Sequence, residues 1–255
     1  MLSKSDLERF KSTLGLNIWQ VERDYLQHLI LMFSSRHTGN ELIFKGGTAL
    51  QKVYGLNRFS IDLDFTKNNT LDIESTFDKV VKDMSNFGFV SNLKFSKGRN
   101  SEALSIKING PLYDGTEKTT AVLKIEISLR ENVILPPESK EIFPVYEDLS
   151  PYFVTMMKLE EILAEKIRAI FWRAKARHVY DLWFLLGRNV AIDTSLINKK
   201  LSYYKLSFSL KEFANKLKEV EKIWENDLEQ VLTFVPDFKK TTEEILSKFQ
   251  SSINL

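Results

Sequence analysis

From Phe44 to Phe65 the chain reads FKGGTALQKVYGLNRFSIDLDF, and this stretch narrows the choice of fold more than any other. The apolar run ELIF that leads into it suits a short strand ending at Gly46 and Gly47, and TALQKVY has helical spacing. Gly55 and Asn57 then punctuate the chain, and RFSIDLDF alternates strictly. Arg58, Ser60, Asp62 and Asp64 fall on one parity, and Phe59, Ile61, Leu63 and Phe65 on the other. Period-two alternation marks a half-buried strand, so the segment predicts strand, glycine turn, helix, strand.

The surrounding chain extends this pattern. Residues 5–37 predict helix, with Leu26, Leu29, Ile30 and Phe33 at three- and four-residue spacing. IESTFDKVVKDMSNFG predicts a helix with Ser75 or Thr76 near its start and Gly88 just past its end. FVSNLKF, ALSIKI and AVLKIEISL follow as strands. Pro136, Pro137, Pro144 and Pro151 mark a loop-rich passage with one short strand around 142–146. Beyond it, MKLEEILAEKIRAIFWRAKA, HVYDLWFLL, LKEFANKLKEVEKIWENDLEQVL and DFKKTTEEILSKFQ carry helical periodicity. The expectation is an α+β chain: a mixed domain over 1–150 and a helical domain over 151–255.

Composition excludes several chemistries. Without cysteine there are no disulfides, thiolate metal sites or cysteine nucleophiles, which suits a reducing cytoplasm. His28, His37 and His178 are too scattered for a zinc site. The net charge of +2 argues against a molecule-wide attraction for nucleic acid but leaves room for a local basic patch. The opening MLSKSDLERFKSTLG lacks the apolar core of a signal peptide, and no apolar run approaches the roughly 18–20 residues of a membrane span. The expected location is the cytoplasm, with no membrane partner.

On a strand, Asp62 and Asp64 would project to the same face about 6.5–7 Å apart. Two carboxylates at that spacing repel by about 2.5 kcal/mol at an effective dielectric of 20. Two readings fit: a solvated acidic face neutralised by Arg58, or a site for a divalent cation such as Mg²⁺, which takes carboxylate and phosphate oxygens. The diglycine favours a ligand, because a helix starting there offers free N–H groups to a phosphate, with the Thr48 hydroxyl beside them. On AVLKIEISL, Glu126 shares a face with Lys124 and Ser128. It joins the aspartates if that strand pairs beside theirs, and is a solvated strand acid otherwise. Three carboxylates can hold two metal ions.

Lys166, Arg168, Arg173, Lys175 and Arg177 form an acid-free basic stretch. On one continuous helix Lys166, Arg173 and Arg177 would make a narrow stripe, either a solvated cationic face or a set of phosphate and acceptor contacts. Trp172, Tyr180, Trp183 and Phe184 read as core aromatics.

Taken together, Gly46-Gly47, Asp62-x-Asp64 and a later strand acid resemble the signature of polymerase-β-type nucleotidyltransferases. More narrowly, KGGTAL, RFSIDLDF and LEEILAEKIRAIFWRAKARHVYDLWFLL resemble the AbiEii/AbiGii nucleotidyltransferase toxins of type IV toxin–antitoxin and phage-exclusion systems. The resemblance implies that Gly46, Gly47 and Thr48 form the nucleotide-phosphate turn, with Arg58 and Ser60 as the preceding polar pair. It implies Asp62 and Asp64, joined by Glu126, as ligands of Mg²⁺ or Mn²⁺. It also implies Lys166 at the NTP triphosphate and Asp181 as a supporting acid, while Arg173 and Arg177 stand, from the basic stretch itself, as candidates for acceptor or phosphate contacts. Where the family often has an acid after the arginine, this chain has His178 after Arg177. The implied activity is NMP transfer from an NTP to an RNA acceptor, the tRNA 3′ end first, blocking translation, with a separately encoded antitoxin. Other acceptors are a protein or small-molecule hydroxyl, and another function class is a non-catalytic nucleotide-binding regulator. A phosphate on Ser60 would add about −1.5 to −2 charges beside the acids and lower activity.

Overall fold

The computed structural model describes residues 1–67 and 70–253. The chain divides into two compact units: Met1–Gly55, Phe59–Asn132 and Pro137–Met156 in the first, and Leu56–Arg58, Val133–Pro136 and Met157–Leu255 in the second.

The first unit runs α1 (Lys4–Leu14), α2 (Ile18–Thr38), β1 (Leu42–Lys45), α3 (Gly46–Tyr54), β2 (Leu63–Lys67), α4 (Ile73–Asn86), β3 (Ser91–Lys97), β4 (Ser101–Ile108), β5 (Ala121–Ser128), β6 (Glu138–Ile142) and β7 (Tyr152–Met156). Its strands form one mixed sheet in the order β3-β4-β5-β2-β1-β7-β6. β2 is antiparallel to β1 and parallel to β5, and β7 is parallel to β1. The alternation in β4 and β5 turns Leu104, Ile106, Leu123, Ile125 and Ile127 into the core. α2 supplies Leu26, Leu29, Ile30 and Phe33 to the same core and packs on α1, α4 and β7.

Several boundaries differ from the sequence expectation for local reasons. The stretch 5–37 is two helices, because Gly15 turns left-handed (φ 64) and Asn17 starts a new helix in a reciprocal capping box with Gln20. The cap of α4 is Asp72, whose carboxylate accepts from Ser75 N, rather than Ser75 or Thr76. In the proline-rich passage the strand is β6, ending at Ile142, and a further strand, β7, follows Pro151 where helix alone was expected. β7 carries its own alternation, with Tyr152 and Val154 buried and Phe153 exposed.

β2 also begins later than RFSIDLDF suggests, since residues 58–62 are loop. The last pair between β1 and β2 is Lys45 with Asp64, and at Gly46 the chain leaves the sheet for α3. Residues before Leu63 therefore have no β1 partner, and side chains take over their backbone groups. Gln27 donates to the carbonyls of Ser60 and Ile61 at 2.9 Å each, and Ser60 N donates to Gln51 at 3.0 Å.

The second unit contains α5 (Leu159–Trp172), α6 (Ala176–Gly187), α7 (Thr194–Ser202), α8 (Leu210–Glu219), α9 (Trp224–Leu228) and α10 (Phe238–Ile253). Phe171, Phe208, Phe213 and Phe249 pack ring against ring at its centre. Buried Lys200 lies 2.7 Å from Glu161 and 3.1 Å from Glu165. Glu161 in turn accepts from Ile134 N and Leu135 N, which ties the short 133–136 segment to this unit.

The expected single helix through Lys166, Arg173 and Arg177 is broken. Arg173 is extended (φ −154, ψ 89) and α6 starts afresh at Ala176. Neither glycine nor proline marks the break; α5 and α6 pack on one another, and a helix pair needs a turn between its members.

Candidate active site

In the first unit, α3 opens on the diglycine with Gly46 at φ 78, and its N-cap, Lys45, supplies no side-chain cap. A Cβ on Gly46 would overlap the Asp64 carboxylate and lie 2.8 Å from the Asp64 Cβ. Glycine is thus required twice here, by its left-handed backbone and by the acid packed over it. First-turn N–H groups of a helix without a side-chain cap are donors in search of an acceptor, and they open beside a carboxylate.

Asp62 and Asp64 are both half-buried, and Asp64 stands opposite Glu126 in the β2–β5 register. The conditional pairing of the Glu126 strand with the aspartate strand is therefore realised, although Glu126 is exposed. Among the described residues no three histidine, cysteine or acidic side chains gather into a ready metal cluster. The donors are nonetheless all hard carboxylate oxygens. Mg²⁺ characteristically binds through one or two carboxylates plus substrate phosphates, so Asp62 and Asp64 fit it, or the similarly oxygen-loving Mn²⁺.

Thr48 and Ser60 face each other. The Thr48 hydroxyl is fully buried, is hydrogen-bonded to the Ser60 hydroxyl at 2.7 Å, and donates to the Asp62 carbonyl. Both side chains brace the loop that carries Asp62. The buried position of Ser60, 7% exposed, means a kinase would reach it only if that loop opened. Gln27 and Gln51 complete the bracing, and Arg23, whose guanidinium donates to Val122 O at 2.8 Å, feels the Asp62 charge. The sequence reading did not single out these three residues. For Gln27 the signal was present: with Glu22, Asp24 and His28 it is a buried polar residue on a helix whose other buried residues are mostly apolar.

In the second unit, Arg58, Lys166 and Asp181 come together. Asp181 is completely buried; Arg58 grips it with two hydrogen bonds, Nε to Oδ1 at 2.6 Å and Nη2 to Oδ2 at 2.8 Å. Lys166 Nζ is 2.6 Å from Oδ2. Burial alone would raise the Asp181 pKa, but the two cations outweigh it and hold the carboxyl well below the usual carboxylate range. Two cations thus hold one fully buried carboxylate. His178, where the family often has an acid, is held neutral: burial pushes its pKa well down and Lys166 adds to the effect. Arg58 is thus a partner of Asp181 rather than a strand neighbour of Asp62. Arg173 and Arg177 are separated from Lys166 by the break after α5.

The profile of the family described as nucleotidyl transferase AbiEii toxin, type IV TA system, matches residues 30–249. No protein of curated function matches the chain in sequence at a significant level. Among solved structures, MenT4, a nucleotidyltransferase toxin from Mycobacterium tuberculosis H37Rv, superposes with a TM-score of 0.67 at 20% identity, covering 100% of this chain and 91% of that one. JHP933 from Helicobacter pylori gives a TM-score of 0.56 at 23% identity, with 91% of each chain covered. These likenesses speak to the fold: a mixed sheet of the nucleotidyltransferase-toxin kind with helices following it.

Proposed function

The chain belongs to the AbiEii nucleotidyltransferase toxin family of type IV toxin–antitoxin systems, and from that premise we propose that it moves an NMP group from an NTP to an RNA acceptor, the tRNA 3′ end first, and so blocks translation. The observation that carries this reading is the meeting of α3's uncapped N-terminus with the Asp64 carboxylate over Gly46. Phosphate donors and a cation-binding acid side by side suit a metal-chelated triphosphate.

The N–H groups of Gly46, Gly47 and Thr48 hold NTP phosphates, while the Thr48 and Ser60 side chains fix the loop. Asp62 and Asp64, with Glu126 beside them, would hold Mg²⁺ or Mn²⁺, which neutralises phosphate charge when bound. In the second unit Asp181 positions Lys166, the lysine that the family resemblance assigns to the triphosphate, together with Arg58. An acceptor hydroxyl forms the new bond to the α-phosphorus as the bond to the bridging oxygen breaks and pyrophosphate leaves. Catalysis is positioning plus charge neutralisation. A separately encoded antitoxin is the regulatory partner, and Arg173 and Arg177 are acceptor contacts. Among the described residues no helix is long and apolar enough to cross a membrane.

Incubation with total RNA, each labelled NTP and Mg²⁺ tests the proposal. RNase-sensitive label that vanishes in Asp62→Ala is expected. Label resisting RNase would transfer the chemistry to a protein hydroxyl, and no label with any NTP would end it.

A further inference from the structure

Trp172 closes α5, yet its indole is 62% exposed rather than in the core. Burying such a ring is worth several kcal/mol, so leaving it in water needs a reason. Among the described residues its ring contact is with Tyr204, centroid to centroid 5.1 Å and tilted by 53°, and the residue stays 62% exposed. Arg168 lies 5.0 Å from the centre of the Tyr204 ring. Tyr204 sits in the turn after α7, where Lys205 takes a left-handed conformation (φ 58).

The charge around this pair is one-sided. From Lys166 to Tyr180 there is no acidic residue, and from Thr194 to Lys211 there is none either. The Trp172–Tyr204 contact joins these two acid-free segments, so Arg173, Lys175 and Lys205 lie within three residues of one or other ring along the chain, in a protein whose total net charge is only +2. Exposed aromatic faces flanked by Arg and Lys are the means by which proteins hold unpaired bases and their phosphates. Stacking tolerates any base, and the cations track the backbone.

We propose that Trp172 and Tyr204 form a stacking platform for the single-stranded end of an RNA acceptor, with Arg168, Arg173, Lys175 and Lys205 binding its phosphates. This rests on the RNA-acceptor reading and adds to it a place on the surface and a preference for unpaired RNA over duplex. Because the basic stretch is split by the turn at Arg173, the arginine there follows Trp172 directly in the chain instead of continuing a stripe from Lys166.

The test uses the full chain carrying Asp62→Ala, so that binding is read without turnover, and a fluorescein-labelled single-stranded RNA oligonucleotide followed by anisotropy. Adding Trp172→Ala is expected to weaken binding about tenfold or more, whereas Trp172→Phe retains most of it. Arg173→Ala is expected to make the log–log salt dependence shallower by about 0.7. Binding unchanged by Trp172→Ala overturns the platform even if RNA is labelled in the transfer assay. Trp172-dependent binding with no RNA labelled keeps the platform and removes the acceptor reading. If Trp172→Ala instead abolishes self-association in sedimentation and leaves RNA binding intact, the rings belong to a protein contact and the proposal falls.

Discussion

At the scale of single residues, the two most constrained positions are Gly46 and Asp181. Gly46→Ala forces a Cβ into a left-handed backbone under the Asp64 side chain. The expected cost is about 1–3 kcal/mol in thermal unfolding, together with loss of transfer activity as Asp64 or the α3 N-terminus is displaced. Asp181→Asn removes the charge that Arg58 and Lys166 share and puts a neutral carboxamide at a fully buried position between two cations. A loss of about 3–5 kcal/mol is expected in urea denaturation, and a variant as stable as wild type would contradict the pairing. Gly46 and Asp64 were legible in the sequence itself, because glycine before a helix and acids on an apolar strand are locally conspicuous, whereas Lys166 and Asp181 took their roles only from the family resemblance. That Arg58 serves Asp181 was not legible at all, since 123 positions separate them and only folding brings them within 2.6 Å.

At the scale of elements, the loop over 58–62 shows why alternation misled. Five alternating residues read as strand, but β1 ends at Lys45 and offers them no partner. Gln27 from α2, Gln51 and Thr48 from α3 hold the loop instead. Gln27→Leu leaves two carbonyls without their donor, at a cost of about 1–3 kcal/mol. Hydrogen exchange should show protection lost around Ser60 to Asp62, with transfer activity falling alongside; unchanged protection there would show that Gln27 is not what holds the loop. The split between α5 and α6 is the same lesson in a helix, since uninterrupted propensity from Lys166 to Arg177 yields to the packing of the two helices on each other.

At the scale of the whole molecule, each unit carries a histidine held neutral, His28 buried and His178 half-buried. Burial pushes the His28 pKa down to about 3, helped by Lys52 and opposed by Asp24; His178 moves the same way. The unfolded chain binds a proton on each near pH 6.5 where the folded chain does not. For His28, stability is therefore complete above about pH 6.5 and falls as the pH drops towards 3, by about 1.4 kcal/mol per pH unit, and His178 contributes in the same direction. Asp181 acts in the same direction at lower pH, because its depressed pKa adds stability that is lost as acid protonates it. Melting temperatures from pH 7 to 4.5 should fall steadily, and His28→Gln should flatten the slope by up to one proton; an unaltered slope would show that His28 does not titrate on unfolding.

The sequence by itself determined the glycine turn, the strands and helix around it, the acids Asp62, Asp64 and Glu126 as candidates and the family, because these reside in local periodicity and in residue types whose chemistry is local. The break between α1 and α2 and the strand β7 were not among them. Tertiary structure decided where β2 begins, that Asp64 faces Glu126 across a parallel pair, that Arg58 and Lys166 converge on Asp181, and that Trp172 lies outside the core. Strand partners, buried charge pairs and exposed faces are set by segments distant in the chain. A local pattern states what a residue can do, and only packing decides which neighbour it does it with.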